Sequence, residues 1–244
     1  MTKSPPLILN PRDVPSVSWA EADLLPSSLV LSSWSPKRWE DLTEGVIESA
    51  VLEARRMAQH LWLQDAGYDR DWTQAAVLLL LIESDAGYQV VLTTRAQHLR
   101  HHPGQVAFVG GRVEAGETAK QAALREALEE INLNTKDVTV LGVMPSYYTI
   151  SGFAVAPVVA VMTQSAWLAQ DIRVDECEVD QVFLAPLARL FDREAMRVHT
   201  FEYEGHRRQF LSVTCTVAYT EFFVWGASMA MLHNFDLALR AQWV

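Results

Sequence analysis

Three glutamates, Glu126, Glu129 and Glu130, stand at i, i+3 and i+4 in the stretch GGRVEAGETAKQAALREALEEINL, from Gly110 to Leu133. On a helix that spacing puts their carboxylates on one face, about a turn apart. Like charges so placed repel one another, and near a helix C-terminus they also oppose the macrodipole. The arrangement calls for a cation. Arg125 can offset part of the repulsion through its i+4 neighbour Glu129. A hard divalent ion does more, because Mg²⁺ takes carboxylate oxygens, keeps some of its waters and accepts phosphate oxygens. The preceding loop, FVGGRVEAGET, has glycines that let backbone carbonyls and N–H groups approach an ion or a phosphate. Each half alone has an ordinary explanation, a solvent-facing acidic helix end or a glycine turn. Joined in one segment they point to a metal platform for an anionic ligand.

The elements that must hold this platform can be read in outline. AAVLLLLIE and YQVVLTTR, separated by SDAG, are two adjacent antiparallel strands. A helix follows the glycines from about Thr118 to Ile131, with Leu124, Ala127, Leu128 and Ile131 as the side that packs on a sheet. DVTVLGVM and AVAPVVAVM are further strands, and CEVDQVFLAPLARLF is a strand entering a short helical turn. RVHTFEYEGHRRQF alternates around a glycine turn as a hairpin, and WGASMAMLHNFDLALRAQW is a closing helix that caps the domain. Strands with helices between and after them make an α/β or α+β sandwich. Ahead of this, residues 1–35 are rich in Pro and Ser and read as an irregular arm. Helical signals begin at Ser35-Pro36. A second helical segment covers roughly residues 43–64, with Asp41 and Glu44 as a capping box. It is a packed helix, or else an element that serves a dimer or covers a substrate.

The chain has 244 residues, half of them hydrophobic, and a formal net charge of −10. That length fits one large domain or a domain with an extension. The acidic balance argues against a general nucleic-acid binder. It leaves room for a small anionic ligand, since a metal or a local arginine cluster can invert the field. The two cysteines, Cys177 and Cys215, form no CxxC pair, which argues against a disulfide framework or a zinc site and for a reducing compartment. The opening MTKSPPLILNPRDVP has neither signal-peptide nor transit-peptide character, and the apolar runs are strand length. A cytoplasmic protein without a membrane partner is the expectation.

The segment from Gly111 to Leu133 resembles the Nudix hydrolase signature. Gly111 opens it, Glu117 holds the next fixed position, and Arg125, Glu126, Ala127, Glu129, Glu130 and Leu133 follow in step. Asn132 stands where the family usually has glycine. It follows the helix end, where a left-handed conformation is expected, and Asn is the next best residue there. The resemblance implies an α/β/α sandwich with a mixed central sheet, here as residues 71–244, preceded by an N-terminal arm and helical extension, residues 1–70. It also implies hydrolysis of a nucleoside diphosphate linked to another moiety, by water activated on Mg²⁺ or Mn²⁺. Glu126, Glu129, Glu130 and the Gly111 carbonyl would be the ligands, with Glu117 steadying the loop and Arg125 orienting the carboxylates. No serine or cysteine nucleophile motif is present, and none is needed.

The stretch LTTRAQHLRHHPGQVAFVGG, Leu92 to Gly111, resembles the coenzyme A pyrophosphatase branch of that family. Arg95, Ala96, Arg100, Gly104, Phe108, Gly110 and Gly111 fall in step, and WGASMAML from Trp225 resembles that branch's later helix start. Val109, Glu114, Glu117 and Ser228 depart from its usual residues. By this resemblance the substrate is coenzyme A or an acyl derivative, cleaved to adenosine 3',5'-bisphosphate and a 4'-phosphopantetheine product. Arg95 and Arg100, with His101 or His102, are candidates for its phosphates, and GHRR at 205–208 is a further anion contact or a plain hairpin tip. Glu130 is the first candidate for general base, with Glu178 and Glu176 as others. Two alternatives stay open: another nucleoside diphosphate derivative or nucleoside triphosphate, and a non-catalytic nucleotide-binding module. Related enzymes suggest a homodimer.

Overall fold

The computed structural model describes residues 10–19, 42–57, 71–203 and 206–241. Its central strand is β2 (Thr73–Ser84). The strand β3 (Gly87–Arg95) returns beside it as the expected hairpin, from Leu81↔Val90 to Ser84↔Gly87. β4 (Val106–Ala107) lies on the outer part of β3, and β5 (Val109–Arg112) runs antiparallel to the first half of β2, with Ala76 opposite Gly111. On the other edge of β2 the strand β8 (Phe153–Thr163) runs parallel for its full length, from Thr73↔Phe153 to Glu83↔Thr163. β6 (Thr139–Val143) and β7 (Tyr147–Tyr148) pair antiparallel with β8, and β9 (Val179–Pro186) with β3. The sheet is therefore mixed.

Its apolar runs are continuous because both faces are covered. Ala76, Leu78, Leu80 and Ile82 of β2 face one core, shared with α2 (Ala119–Ile131) and the short α3 (Gln164–Leu168). Ala75, Leu79 and Leu81 face the other core. There the sheet meets a second, four-stranded sheet in the order β1 (Ser16–Ser18), β10 (Arg197–Tyr203), β11 (His206–Val217), β12 (Thr220–Trp225). The same core takes in α1 (Glu44–Met57), α4 (Leu187–Leu190) and α5 (Gly226–Arg240). Phe183 of β9 stacks on Phe222 of β12, centroids 3.6 Å apart, and joins the two sheets. This is the α/β sandwich with a mixed central sheet and flanking helices.

Three expectations change. Ser16–Ser18 add an edge strand to β10, and Trp19 behind them is buried, so this part of the arm is not irregular. The helix α5 does not merely cap: every residue from Ser228 to Arg240 is buried, since it is covered by α1 on one side and by the small sheet on another. A buried ion pair, Arg240 Nε to Asp236 at 2.7 Å, keeps two charges tolerable there. Leu128 of α2 is exposed, because the packed stripe is Ala122, Ala123, Ala127 and Ile131, with small residues that let the helix sit close to β2. The helix start at Ser35-Pro36, the Asp41 end of the capping box and the end of the 43–64 segment lie outside the described residues. At the start of α1 the Thr43 hydroxyl instead accepts the Val46 N–H, at 3.4 Å. The hairpin of β10 and β11 forms with Tyr203 opposite His206, and its tip, residues 204–205, also lies outside the described residues.

Candidate active site

Local rules fix both ends of α2. Thr118 and Gln121 form a reciprocal capping box: the Gln121 N–H donates to Thr118 Oγ1 and the Thr118 N–H to Gln121 Oε1. At the other end Asn132 takes the left-handed conformation (φ 54°, ψ 33°), as its replacement of glycine predicts. The Leu133 N–H then donates back to Ala127 O, and buried Leu133 anchors the exit. The acidic turn is thus held at a set height over β5.

Gly110 and Gly111 make room for it. A side chain at Gly110 (φ 153°) would overlap the backbone of Ala76 and Val77 across the strand pair. One at Gly111 would overlap the Glu126 carboxylate. The Glu126 carboxylate therefore rests directly on the strand backbone, in the space a side chain at Gly111 would take and displace it from.

Arg125 ties the loop to the helix. Its Nε and Nη2 donate to the two oxygens of Glu117, at 3.0 and 3.1 Å. Its Nη1 donates to Glu126 Oε1 at 2.9 Å and to Glu129 Oε2 at 2.8 Å, and Nη2 also reaches Arg112 O at 3.0 Å. Glu117 accepts the Glu114 N–H as well, which folds the loop, and the Arg125 hydrogen bonds hold its carboxyl below the usual carboxylate range.

The neighbours Glu129 and Glu130 differ sharply. Glu129 is exposed, whereas Glu130 lies on the buried stripe of α2 and is only 5% exposed. Burial, aided by the charges of Glu126 and Glu178, pushes Glu130 up to about 8, against the pull of the Gly110 N–H and of Arg95. Glu126 is raised by burial too, and further by Glu129 and Glu178. Four carboxylates thus share one field. Glu178 reaches it from a loop that docks on the end of α2: Asp175 N–H donates to Glu130 O at 2.8 Å, and Arg173 N–H to Ile131 O at 3.2 Å. The Glu178 carbonyl in turn accepts the Ala96 N–H at 2.9 Å, next to Arg95 at the end of β3. Sequence spacing hides this docking, since the loop is some 45 residues from the glutamates it closes on.

The other named candidates fall as follows. Arg95 stands within the field of Glu130. Arg100 is exposed in the loop 96–105, with no ion pair among the described residues. His101 and His102 are exposed beside it. Glu176 is exposed and acts on Cys177 rather than on the cluster. Ser228, the departure at the start of α5, donates its buried hydroxyl to Val106 O at 3.0 Å and pins that helix to β4.

The donor set suits a hard divalent cation: several carboxylates, one buried and held by a single backbone N–H, next to a strand backbone. Among the described residues no three acidic, His or Cys side chains already converge as a metal cage, because Arg125 gathers the oxygens of Glu126 and Glu129. No helix of the described residues is long and apolar enough to cross a membrane.

Comparison with known proteins agrees with this geometry. The NUDIX domain model matches residues 72–207. An uncharacterized Nudix hydrolase, NudL, of Enterobacter sp. (strain 638) is 36% identical over 169 residues, 68% of this chain and 82% of that protein. NudL of Salmonella newport (strain SL254) is 36% identical over 171 residues, 69% of this chain and 84% of that protein. A solved Nudix hydrolase of M. smegmatis, RenU, aligns at 25% identity with a TM-score of 0.43, over 54% of this chain and 82% of that one. On the match of its domain and of the two NudL relatives, the chain belongs to the Nudix hydrolase family.

Proposed function

We propose that the protein hydrolyses the diphosphate bond of coenzyme A or acyl-coenzyme A, releasing adenosine 3',5'-bisphosphate and a 4'-phosphopantetheine product. Family membership supports the coarser statement, a nucleoside diphosphate-linked substrate. One observation supports the catalytic part: Arg125 holds Glu126 and Glu129 beside the Gly110-Gly111 strand, and Glu130 is buried on the same helix turn within the field of Glu126. In this reading Glu126, Glu129, Glu130 and the Gly111 carbonyl would hold Mg²⁺ or Mn²⁺, which when bound would act as a Lewis acid toward water and phosphate oxygens. With a cation bound, Glu130 would be ionised and would accept a proton from the attacking water, and Glu178, whose charge reaches Glu130, is the next candidate. Arg125 and Glu117 keep the carboxylates in register. Arg95 faces the cluster and offers a guanidinium to a phosphate oxygen.

The coenzyme A reading is supported by the run from Arg95 to Gly111. The loop 96–105 is closed at its neck, where the Arg95 N–H donates to Gln105 O and the Gly104 N–H to Arg95 O, with Gly104 left-handed at φ 66°. Arg95 lies within the field of Glu130 and Arg100 is exposed on this loop, and in this reading both meet phosphates of the ligand. The second reading is another nucleoside diphosphate derivative, such as ADP-ribose, NADH or a dinucleotide. Val109 and Glu114 favour it, since both depart from the coenzyme A pattern.

The test is product analysis with Mg²⁺ and a panel of coenzyme A, NADH, ADP-ribose and dATP. Release of adenosine 3',5'-bisphosphate at the highest kcat/KM supports the lead. Preference for another compound overturns the coenzyme A assignment alone. No turnover of any compound overturns pyrophosphate hydrolysis and supports a nucleotide-binding module.

A further inference from the structure

The small sheet carries a polar cleft on its other side. Leu211, Val213 and Cys215 of β11 point into the core, so the alternate residues Ser212 and Thr214 point away from it. With Arg197 and His199 of β10, Phe223 of β12 and Arg12 of the N-terminal segment they line an open cleft of about 540 Å³. The catalytic helix α2 packs on the far face of the large sheet, so the cleft and the carboxylate site lie on different layers.

The floor of the cleft is a chain of hydrogen bonds whose directions can be assigned. His199 Nδ1 is 3.0 Å from Val14 O, and His199 Nε2 is 2.7 Å from Ser212 Oγ. A carbonyl only accepts, so Nδ1 carries the proton. Burial lowers the affinity of His199 for a second proton, which leaves Nε2 bare. The Ser212 hydroxyl must then donate to Nε2, and its remaining lone pairs are the acceptor that the floor offers. Both residues are almost fully buried, at 4% and 1% exposure, and Phe210 stacks on the imidazole at 4.4 Å, so this floor is rigid.

The walls carry the opposite character. Arg189 is neutralised by Asp192 at 2.9 Å. Arg12 and Arg197 make no ion pair among the described residues, and Glu194 is the one other carboxylate that lines the cleft. Arg12 is held over the Phe223 ring at 4.8 Å, by a turn capped with Asn10. Two guanidiniums lining one cleft with a hydroxyl acceptor stand out on a chain of net charge −10.

We propose that this cleft binds a small phosphorylated polyol, with its phosphate on Arg12 and Arg197 and a hydroxyl donating to Ser212 Oγ. The open cleft has room for such a ligand. Calorimetric titration of the full chain with glycerol 3-phosphate, orthophosphate and glycerol tests it, with the His199 ring signals followed by NMR to locate the binding. Glycerol 3-phosphate is expected to bind, to move the His199 signals, and to bind about tenfold or more weakly to Arg12→Gln/Arg197→Gln, since hydrogen bonds to charged groups are lost. Both substitutions are at exposed positions, so this variant keeps its fold and its diphosphate hydrolysis, and the outcome is independent of the proposed function. Ser212→Ala is expected to weaken glycerol 3-phosphate and leave orthophosphate unchanged. The proposal is overturned if glycerol 3-phosphate neither binds nor moves the His199 signals, if the double variant binds it as well as the parent, or if orthophosphate binds as tightly as glycerol 3-phosphate.

Discussion

Replacing Arg125 by lysine separates charge from geometry at the acidic site. The guanidinium makes five hydrogen bonds, to Glu117 twice, to Glu126, to Glu129 and to Arg112 O, all between 2.8 and 3.1 Å. A lysine keeps the positive charge but has three donors on one atom, and it cannot span the loop carboxylate and two helix carboxylates at once. Arg125 is about one quarter exposed and Glu129 more than half, so water screens part of these contacts and the cost in folding stability is small, about 1 kcal/mol. The cost in function is larger, because the carboxylates lose their register. Outer partners of metal ligands are typically worth about 10–100-fold in affinity or activity. For Arg125→Lys we expect kcat/KM with Mg²⁺ to fall by that factor, about 1.4–2.7 kcal/mol of transition-state stabilisation. Mn²⁺ affinity, read by electron paramagnetic resonance, is expected to fall in parallel, with an unchanged far-UV spectrum. A lysine variant with full rate and full Mn²⁺ affinity would show that charge alone suffices and that the five-bond geometry has no catalytic role.

Other consequences are as direct. Glu129→Gln and Glu130→Gln are expected to remove most of the metal-dependent rate, by about 100-fold or more, while thermal unfolding shows the fold intact; full rate in both would displace the metal site. Gly111→Ala places a carbon against the Glu126 carboxylate, which must swing aside, so turnover is expected to drop about tenfold or more with little change in the urea midpoint; an unchanged rate would show that the carboxylate's position there does not matter. His233, in the buried face of α5, has both ring nitrogens without a partner among the described residues, lies 4.9 Å from the Trp19 ring, and is brought down to about 3 by burial and by Arg193 and Arg240. Its folded value lies below the unfolded one, so its contribution to stability is full above pH ~6.5 and is lost as pH falls toward 3, by about 1.4 kcal/mol per unit. The parent is therefore expected to lose about 2 kcal/mol more than His233→Leu between pH 7 and pH 5 in urea midpoints; equal losses would show that His233 is not the group responsible.

Much of the site is local in the chain, and that is why it could be read. The i, i+3, i+4 glutamates, the glycines, the Thr118 cap and the left-handed Asn132 are fixed by helix geometry and backbone sterics within about 25 residues. The hairpin of β2 and β3 and the succession of strands along the chain follow from apolar runs broken by turn residues. Even the division between Glu129 and Glu130 has a local trace: Glu130 is three residues from Ala127 and seven from Ala123, on the stripe that packs, while Glu129 is off it. Leu128 shows the limit of that reading, since hydrophobicity alone placed it on the packed side and the alanine stripe excluded it.

What the sequence left open depends on which distant segments meet. That the 171–179 loop lands on the last turn of α2, with Glu178 raising the proton affinity of Glu130, is set by β9 pairing with β3 and by backbone hydrogen bonds to Glu130 and Ile131. The strand at Ser16–Ser18 has too few residues to show a period, and exists because β10 offers it an edge. The His199–Ser212 pair joins two strands and the Val14 carbonyl, three places with no shared local pattern. Periodicity and capping act over one or two turns of chain and so are written in the order of residues. Burial, which shifts a proton affinity or orients a hydroxyl, depends on every atom nearby, and only the folded chain specifies those.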